Sequence, residues 1–393
     1  MFGVIGNKPD IIIPQGRDFR WGAVLASTTH NPSSGYGGYT LAPTIDDYLD
    51  KLVEAGGQAV RLYAEPNPEG DLNNTSPPPA YGNMHNIFID AISKCHQRDL
   101  HCIILLMDRI RDIKYIPTED NPENKSVWSL KTDLDTYRES EAIATAEYAT
   151  KFMQRYNQYL DPQKDILEIS NEPELFRNLQ RPETSGAVRN QYFENKTDTF
   201  LKHVSEVAKR IRTANPAIRI ATPANIAWKQ FYLMDRYIAD FSYYRYLNLH
   251  WYSNQERNMR NGIFEPGVSD VTIFYSDKYN MDLIFTEFNQ RGIAFGGAND
   301  GPESGDNHQA RQIKNFEQVF PKFIKNPRVK YALIYQWSSH PHGTSATEGS
   351  YGILYFPGLD TSLPKDQQNM KALMAPKRSF YWLKGIINKN LTP

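Results

Sequence analysis

The sequence predicts a single (β/α)8 barrel, and three observations carry that expectation. Short apolar runs alternate with longer segments of helical period, eight times in order. Several runs, such as CIILLM at 102–107, are apolar throughout, as a parallel strand covered on both faces requires. The segments after strands two, three, four, six, seven and eight exceed the short connections typical of α/β units, which places long loops on the C-terminal face of the barrel. At 393 residues the chain could hold several average domains, but no linker or internal repeat divides it. One domain over residues 1–393 is expected, with its barrel core at about 18–387. A doubly wound sheet with an extra domain is the rival architecture.

The elements follow from local pattern. Strand one is expected at Phe19–Ala26. Thr44 reads as an N-cap, with Asp46 and Asp47 at the positive end of a helix that runs to Ala55 and closes at Gly56-Gly57. Strand two is Ala59–Tyr63, and Pro77, Pro78 and Pro79 keep the next helix from starting before about Met84. That helix, to Arg98, aligns Phe88, Ala91, Ile92 and Cys95 on one face. Strand three is Cys102–Met107, a helix spans about Ser140–Leu160, and strand four is Ile166–Ser170. The helix at Asp198–Ala214 buries Phe200, Val204, Val207 and Ile211, before strand five at Ile218–Ala221. Strand six is Tyr246–His250, strand seven Leu283–Thr286 and strand eight Tyr331–Tyr335, with helices at about 308–325 and 379–387. A helix near 231–241 and another after strand six are weakly patterned.

Composition narrows the function classes. Forty per cent of residues are apolar, enough for a large core. With 44 basic and 45 acidic side chains the formal charge is −1, which predicts neither nucleic acid nor an anionic membrane as partner. No run approaches the roughly 20 apolar residues of a membrane span. MFGVIGNKPD lacks the basic and apolar regions of a signal peptide, so a cytoplasmic or phage-borne protein is expected, or an extracellular one whose leader was removed. Oligomeric state is not legible. Cys95 and Cys102 read as reduced, buried thiols or as one local disulfide. The six Trp fall near predicted loops often enough to suit a sugar-binding cleft.

Two carboxylates stand out by position. Glu172 follows strand four in ILEISNEPE, and Glu287 follows strand seven in LIFTEFNQ. Both leave apolar strands at the carboxyl end, where barrels place their chemistry. Hydrolysis of a glycosidic bond needs a carboxylic acid on the leaving oxygen and, for retention, a carboxylate nucleophile across the anomeric carbon.

SNEP at 170–173 and TEFN at 286–289 resemble the two catalytic signatures of clan A glycoside hydrolases, and more narrowly the xylosidase-like and exopolysaccharide-cleaving members. The resemblance runs over the barrel from about 18 to 387. It implies a retaining enzyme on a (β/α)8 barrel, with Glu172 as acid/base and Glu287 as nucleophile. It further implies that Arg61, in VRLYAEP, supports the nucleophile with a bidentate hydrogen bond, against an ordinary strand-end ion pair. Asn171 would hold a sugar 2-hydroxyl. In LHWYS, Tyr252 would donate to the nucleophile and His250 would bind a hydroxyl or orient a carboxylate. Trp337, in YQWSS, would be the platform beneath the sugar. Ser170 stands where several families carry an aromatic, and Phe288 where Trp or Gly is common.

Glu65 and Asp108 are further candidates as substrate hydroxyl ligands, and Glu174 reads as solvated. His340 and His342 lack a third ligand readable from sequence, so no metal is expected. Glycines 35, 37 and 38 are not followed by the Lys-Ser/Thr of a phosphate cradle, and no cofactor is expected. The resulting expectation is an endo-acting retaining hydrolase of a β-linked poly- or oligosaccharide. An exo-acting β-glycosidase or transglycosylase is the alternative, and a carbohydrate-binding barrel without turnover is the rival from another class.

Overall fold

The computed structural model describes residues 13, 16–25, 41, 43–64, 84–106, 139–173, 191–226, 235, 242–252, 270–289, 306–338, 351–360 and 362–388. Within them eight parallel strands form one closed ring. They are β1 (Arg20–Val24), β2 (Ala59–Tyr63), β3 (His101–Leu105), β4 (Ile166–Glu168), β5 (Arg219–Ala221), β6 (Tyr246–Tyr252), β7 (Asp282–Asn289) and β8 (Val329–Ile334). Closure comes from β1, which pairs in parallel with both β2 and β8. Asn225–Ile226 prolongs the line of β5 and pairs with β6. All eight expected strands are present, and the doubly wound alternative is excluded by the closed ring.

Helices α1 (Ile45–Glu54), α2 (Met84–Gln97), α3 (Glu139–Tyr156), α4 (Gln191–Ala214), α5 (Val271–Tyr279), α6 (Asp306–Lys325) and α7 (Arg378–Asn388) surround it. The α1 start is a capping box. Asp47 N–H donates to the Thr44 hydroxyl at 3.3 Å, and Thr44 N–H donates to the Asp47 carboxylate at 2.7 Å. Gly56 leaves the helix at φ 84°, a conformation that favours glycine. The helix expected near 231–241 lies outside the described residues apart from Asp235.

Strand alternation sorts the core into two layers. Val24, Ala59, Ile103, Ile166, Ala221, Tyr246, Ile284, Tyr331 and Leu333 fill the barrel interior. Their neighbours in sequence, among them Val60, Cys102, Ile104, Leu167, Leu247 and Phe285, pack outward against the helices. The outer layer is aromatic beneath α6, where Phe288 lies 5.1 Å from Phe323 and 5.6 Å from Phe320 between ring centroids. Among the described residues no helix is long and apolar enough to cross a membrane.

Gly22 marks the tightest approach in the ring. A Cβ there would stand 1.7 Å from the backbone oxygen of Ala59, its partner on β2. Only a shift of one strand against the other could relieve that clash, so Gly22→Ala should cost at least about 3 kcal/mol of stability. Urea unfolding measures this; a variant as stable as the parent would show that β1 and β2 do not pair in this register.

Candidate active site

Above the apolar interior layer, the same inward-facing positions turn polar. On β4 and its continuation, Ile166, Glu168 and Ser170 share one face. On β6 the inward series is Tyr246, Asn248, His250 and Tyr252, while Leu247, Leu249 and Trp251 join the outer core. Arg61 follows Ala59 into the interior of β2. Arg61, Glu168, Ser170, Asn248, His250 and Thr286 are all completely buried.

A bulge brings Glu287 into this layer. Opposite β6 the pairing steps from Leu249–Phe285 to His250–Glu287, and opposite β8 from Phe285–Ala332 to Phe288–Ile334. The extra residue on β7 lets Thr286 and Glu287 both serve the interior while Phe288 returns to the outer core.

Arg61 is the hub. It donates to both oxygens of Glu168, from Nε at 2.8 Å and Nη2 at 2.6 Å, and to Glu287 Oε1 from Nη1 at 2.6 Å. Nη2 also donates to the Asn171 side-chain oxygen at 2.9 Å. Arg61 therefore gives Glu287 one hydrogen bond, and its bidentate contact goes to Glu168 rather than to Glu287, a correction to the expected geometry. Glu168 was missed by the sequence reading. Its signal was available: a charged residue in a strand buried on both faces must meet a counter-charge inside.

The second Glu287 oxygen accepts from the Tyr252 hydroxyl at 2.5 Å. Burial pushes the Glu287 carboxyl above the ordinary glutamate range; His250, Arg61 and the Tyr252 hydrogen bond pull the other way, and Glu172 adds to the rise. Burial likewise raises the Tyr252 phenol well above its usual value, with Glu287 and Glu172 adding to it.

His250 stands between the carboxylates. Its Nδ1 lies 2.8 Å from Glu172 and 3.5 Å from Glu287, and its Nε2 lies 3.1 Å from the Thr286 hydroxyl. Thr286 donates its one proton to Asn248 at 2.8 Å, so the Thr286 oxygen accepts from His250 Nε2–H. Nδ1 is thereby turned to Glu172. Glu172 itself sits at φ 42°, in the left-handed region, with its N–H donating to Ala224 at 2.9 Å. A non-glycine residue there stores roughly 1–3 kcal/mol, which the surrounding barrel must offset.

One ligating atom each from Glu172, His250 and Glu287 lies within 4.8 Å of the others. His250 Nδ1, 2.8 Å from Glu172 and 3.5 Å from Glu287, bridges the two carboxylates at this short range. The same three groups could in principle ligate a cation, but Glu287 already accepts from a guanidinium and a phenol, which a metal would have to displace.

Trp337 is a second correction. Its ring is fully buried against Phe380, and its indole N–H donates to the Tyr48 backbone oxygen at 3.1 Å, so it is core rather than a platform. Tyr335 and Tyr351 pack around Tyr252, with centroids 6.4 and 6.0 Å from its own. Asn289 donates to the backbone oxygens of both, and Gln312, itself held by Ser379, donates to Tyr351 at 3.0 Å. Glu65, Asp108, Glu174, His340 and His342 lie outside the described residues.

No protein-family model and no curated protein matches the chain. Solved structures do match in fold. The β-glycosidase from the hyperthermophile Thermosphaera aggregans aligns with a TM-score of 0.59 at 11% identity, over 97% of each chain. A family 1 β-glucosidase from Thermotoga maritima aligns with a TM-score of 0.55 at 13% identity, over 97% of this chain and all of the other. A β-glucosidase from Thermotoga maritima in complex with glucoimidazole gives 0.57 at 14% identity, over 97% and 99%. The shared feature is the (β/α)8 barrel. These neighbours correct the expectation of endo action on a polysaccharide, since they are a β-glycosidase and β-glucosidases.

The Tyr252 hydrogen bond gives a direct test of the site. Donation to Glu287 favours the ionised carboxyl, so Tyr252→Phe leaves burial less opposed and should move the Glu287 titration to higher pH. Carbon-13 NMR of labelled glutamate follows it; a titration unmoved or shifted down would refute the contact.

Proposed function

We propose that this chain is a retaining, exo-acting β-glycosidase of clan A type that works by double displacement. The observation that carries the reading is the pair itself. Glu172 and Glu287 present oxygens within 4.8 Å of each other, and Glu287 is held by Arg61 and Tyr252. In the first step a Glu287 oxygen attacks the anomeric carbon while Glu172 gives its proton to the departing glycosidic oxygen. In the second, Glu172 takes a proton from water, the resulting hydroxide attacks the anomeric carbon, and the Glu287–sugar bond breaks. Glu168 keeps Arg61 in place between the strands, Asn171 is assigned to the sugar 2-hydroxyl, and Tyr335 takes over the platform role first given to Trp337. A β-glucoside is the first substrate to test, given the β-glucosidases that share the fold.

Mode of action is read from products. An aryl β-glucoside and short β-linked oligosaccharides should release monosaccharide, with little fall in the viscosity of a soluble polysaccharide. A fast viscosity drop without monomer would sink the exo assignment.

Roles are separated by stereochemistry. In Glu172→Ala an activated aryl glycoside still forms the glycosyl-enzyme, and azide should release it as the β-azide. In Glu287→Ala azide can attack only the substrate from the vacated face and should give the α-azide, with turnover of every unassisted substrate down by about 10⁴-fold or more. NMR of the product anomers decides. Reversed anomers exchange the two roles, and full activity in both variants places the chemistry elsewhere.

A further inference from the structure

At the end of the barrel opposite the carboxylate pair, three ligating side chains meet where the strands begin. His96 is near the end of α2, Cys102 is the second residue of β3, and Asp165 immediately precedes β4. A ring nitrogen, the thiol sulfur and a carboxylate oxygen from these residues lie within 4.8 Å of one another. Asp165 and Cys102 are completely buried, and His96 reaches the rim. A second buried thiol, Cys95, hydrogen-bonds with Cys102. Beside them opens a cavity of about 360 Å³, lined by Ile89, Ile92, Ser93, His96, Gln97 and Tyr159.

We propose that His96, Cys102 and Asp165 bind one divalent transition-metal ion of the zinc class, with a water from the cavity as fourth ligand. Bond lengths of about 2.0–2.3 Å place the ligand atoms of a tetrahedral site roughly 3.3–3.8 Å apart. The three ligand atoms lie within 4.8 Å of one another, so a small contraction about an ion reaches that scale. His96 Nε2 stands 2.9 Å from Asp165 Oδ1, so this contact need open by only a few tenths of an ångström. The outer partner is also present: Asp165 Oδ2 accepts from the Asp161 N–H at 2.7 Å, which fixes the carboxylate and leaves Oδ1 for the ion.

Charge supports the assignment. An anionic Asp165, a Cys102 thiolate and a neutral His96 balance a dication in a place where any net charge is costly. A mixed sulfur, nitrogen and oxygen set selects zinc or cobalt over magnesium or calcium, which prefer oxygen alone. Such an ion would tie α2 to the first residues of β3 and to the turn before β4. Its role is in holding the barrel floor, away from the chemistry.

The test uses the full chain, stripped with a chelator, kept reduced and titrated with Co²⁺ alone. One equivalent should bind with a sulfur-to-cobalt charge-transfer band, and Zn²⁺ should abolish that band by displacement. Cys102→Ser should lose the band. His96→Gln, altered at the rim where folding is least at risk, should bind Co²⁺ at least about tenfold more weakly, as loss of a ligand costs no less than loss of an outer partner. Absence of the band in the folded parent overturns the proposal. So does a band that survives in Cys102→Ser, or an unchanged Co²⁺ affinity in His96→Gln, which decides alone if Cys102→Ser does not fold.

Discussion

The site depends on one buried cation. Arg61 has no access to solvent, and its charge is met by Glu168 and Glu287, brought in on β4 and β7. Burial alone would lower its affinity for a proton; Glu168 and then Glu287 reverse this and hold it well above the usual arginine value. Removing one partner from such a cluster strands a charge in the interior, at a cost of about 3–5 kcal/mol. The arrangement also sets the character of Glu287. Because two of the Arg61 donors are committed to Glu168, Glu287 receives a single hydrogen bond from the guanidinium. A carboxylate held by fewer donors keeps more of its basicity, and burial raises it further. The nucleophile role proposed for Glu287 calls for a carboxylate that is ionised yet not over-stabilised, and the Arg61–Glu168 pairing is consistent with that.

The polar cluster is possible only because the barrel separates its layers by height. The interior positions one step below the site are apolar at Ala59, Ile166 and Ile284. Two residues further along the same faces stand Arg61, Glu168 and Thr286. Each charged group therefore rests on a packed floor that excludes water from below. The bulge on β7 departs from this regular step. Without it, a strand alternating strictly after Ile284 and Thr286 would turn Glu287 outward into the aromatic layer under α6.

Much of this was legible in the sequence because its causes are local. Apolar runs bounded by turn residues marked every strand, and Thr44 with Asp47 marked the start of α1, since each depends on neighbours within a few positions. The carboxylate pair was legible from Asn-Glu and Thr-Glu at strand ends. What failed depended on direction rather than type. Trp337 and Tyr335 both follow β8 within three residues, and only the path of the chain decides which ring meets Tyr252 and which meets Phe380. Glu168 was passed over because a reading of ILEIS as a buried strand treats its residues as equivalent, whereas alternation gives Glu168 the interior. The bulge left no mark at all, because it is defined by the register of three strands far apart in sequence.

The two carboxylates differ in a way that bears on their roles. The Glu287 side chain is 7% exposed, held by Arg61 and Tyr252, whereas that of Glu172 is 17% exposed beside His250. In a double displacement the nucleophile meets only the anomeric carbon, so enclosure costs it no partner. The acid/base must meet first a leaving oxygen and then a water, and so has to face the open side. Glu172 reaches that side through a left-handed backbone conformation at the strand end, which turns its carboxyl back over His250 rather than along the run of β4. The strain at Glu172 and the bulge at Thr286–Glu287 thus do the same job from opposite walls. Each breaks the regular geometry of a strand at the one residue whose side chain must be aimed at the other.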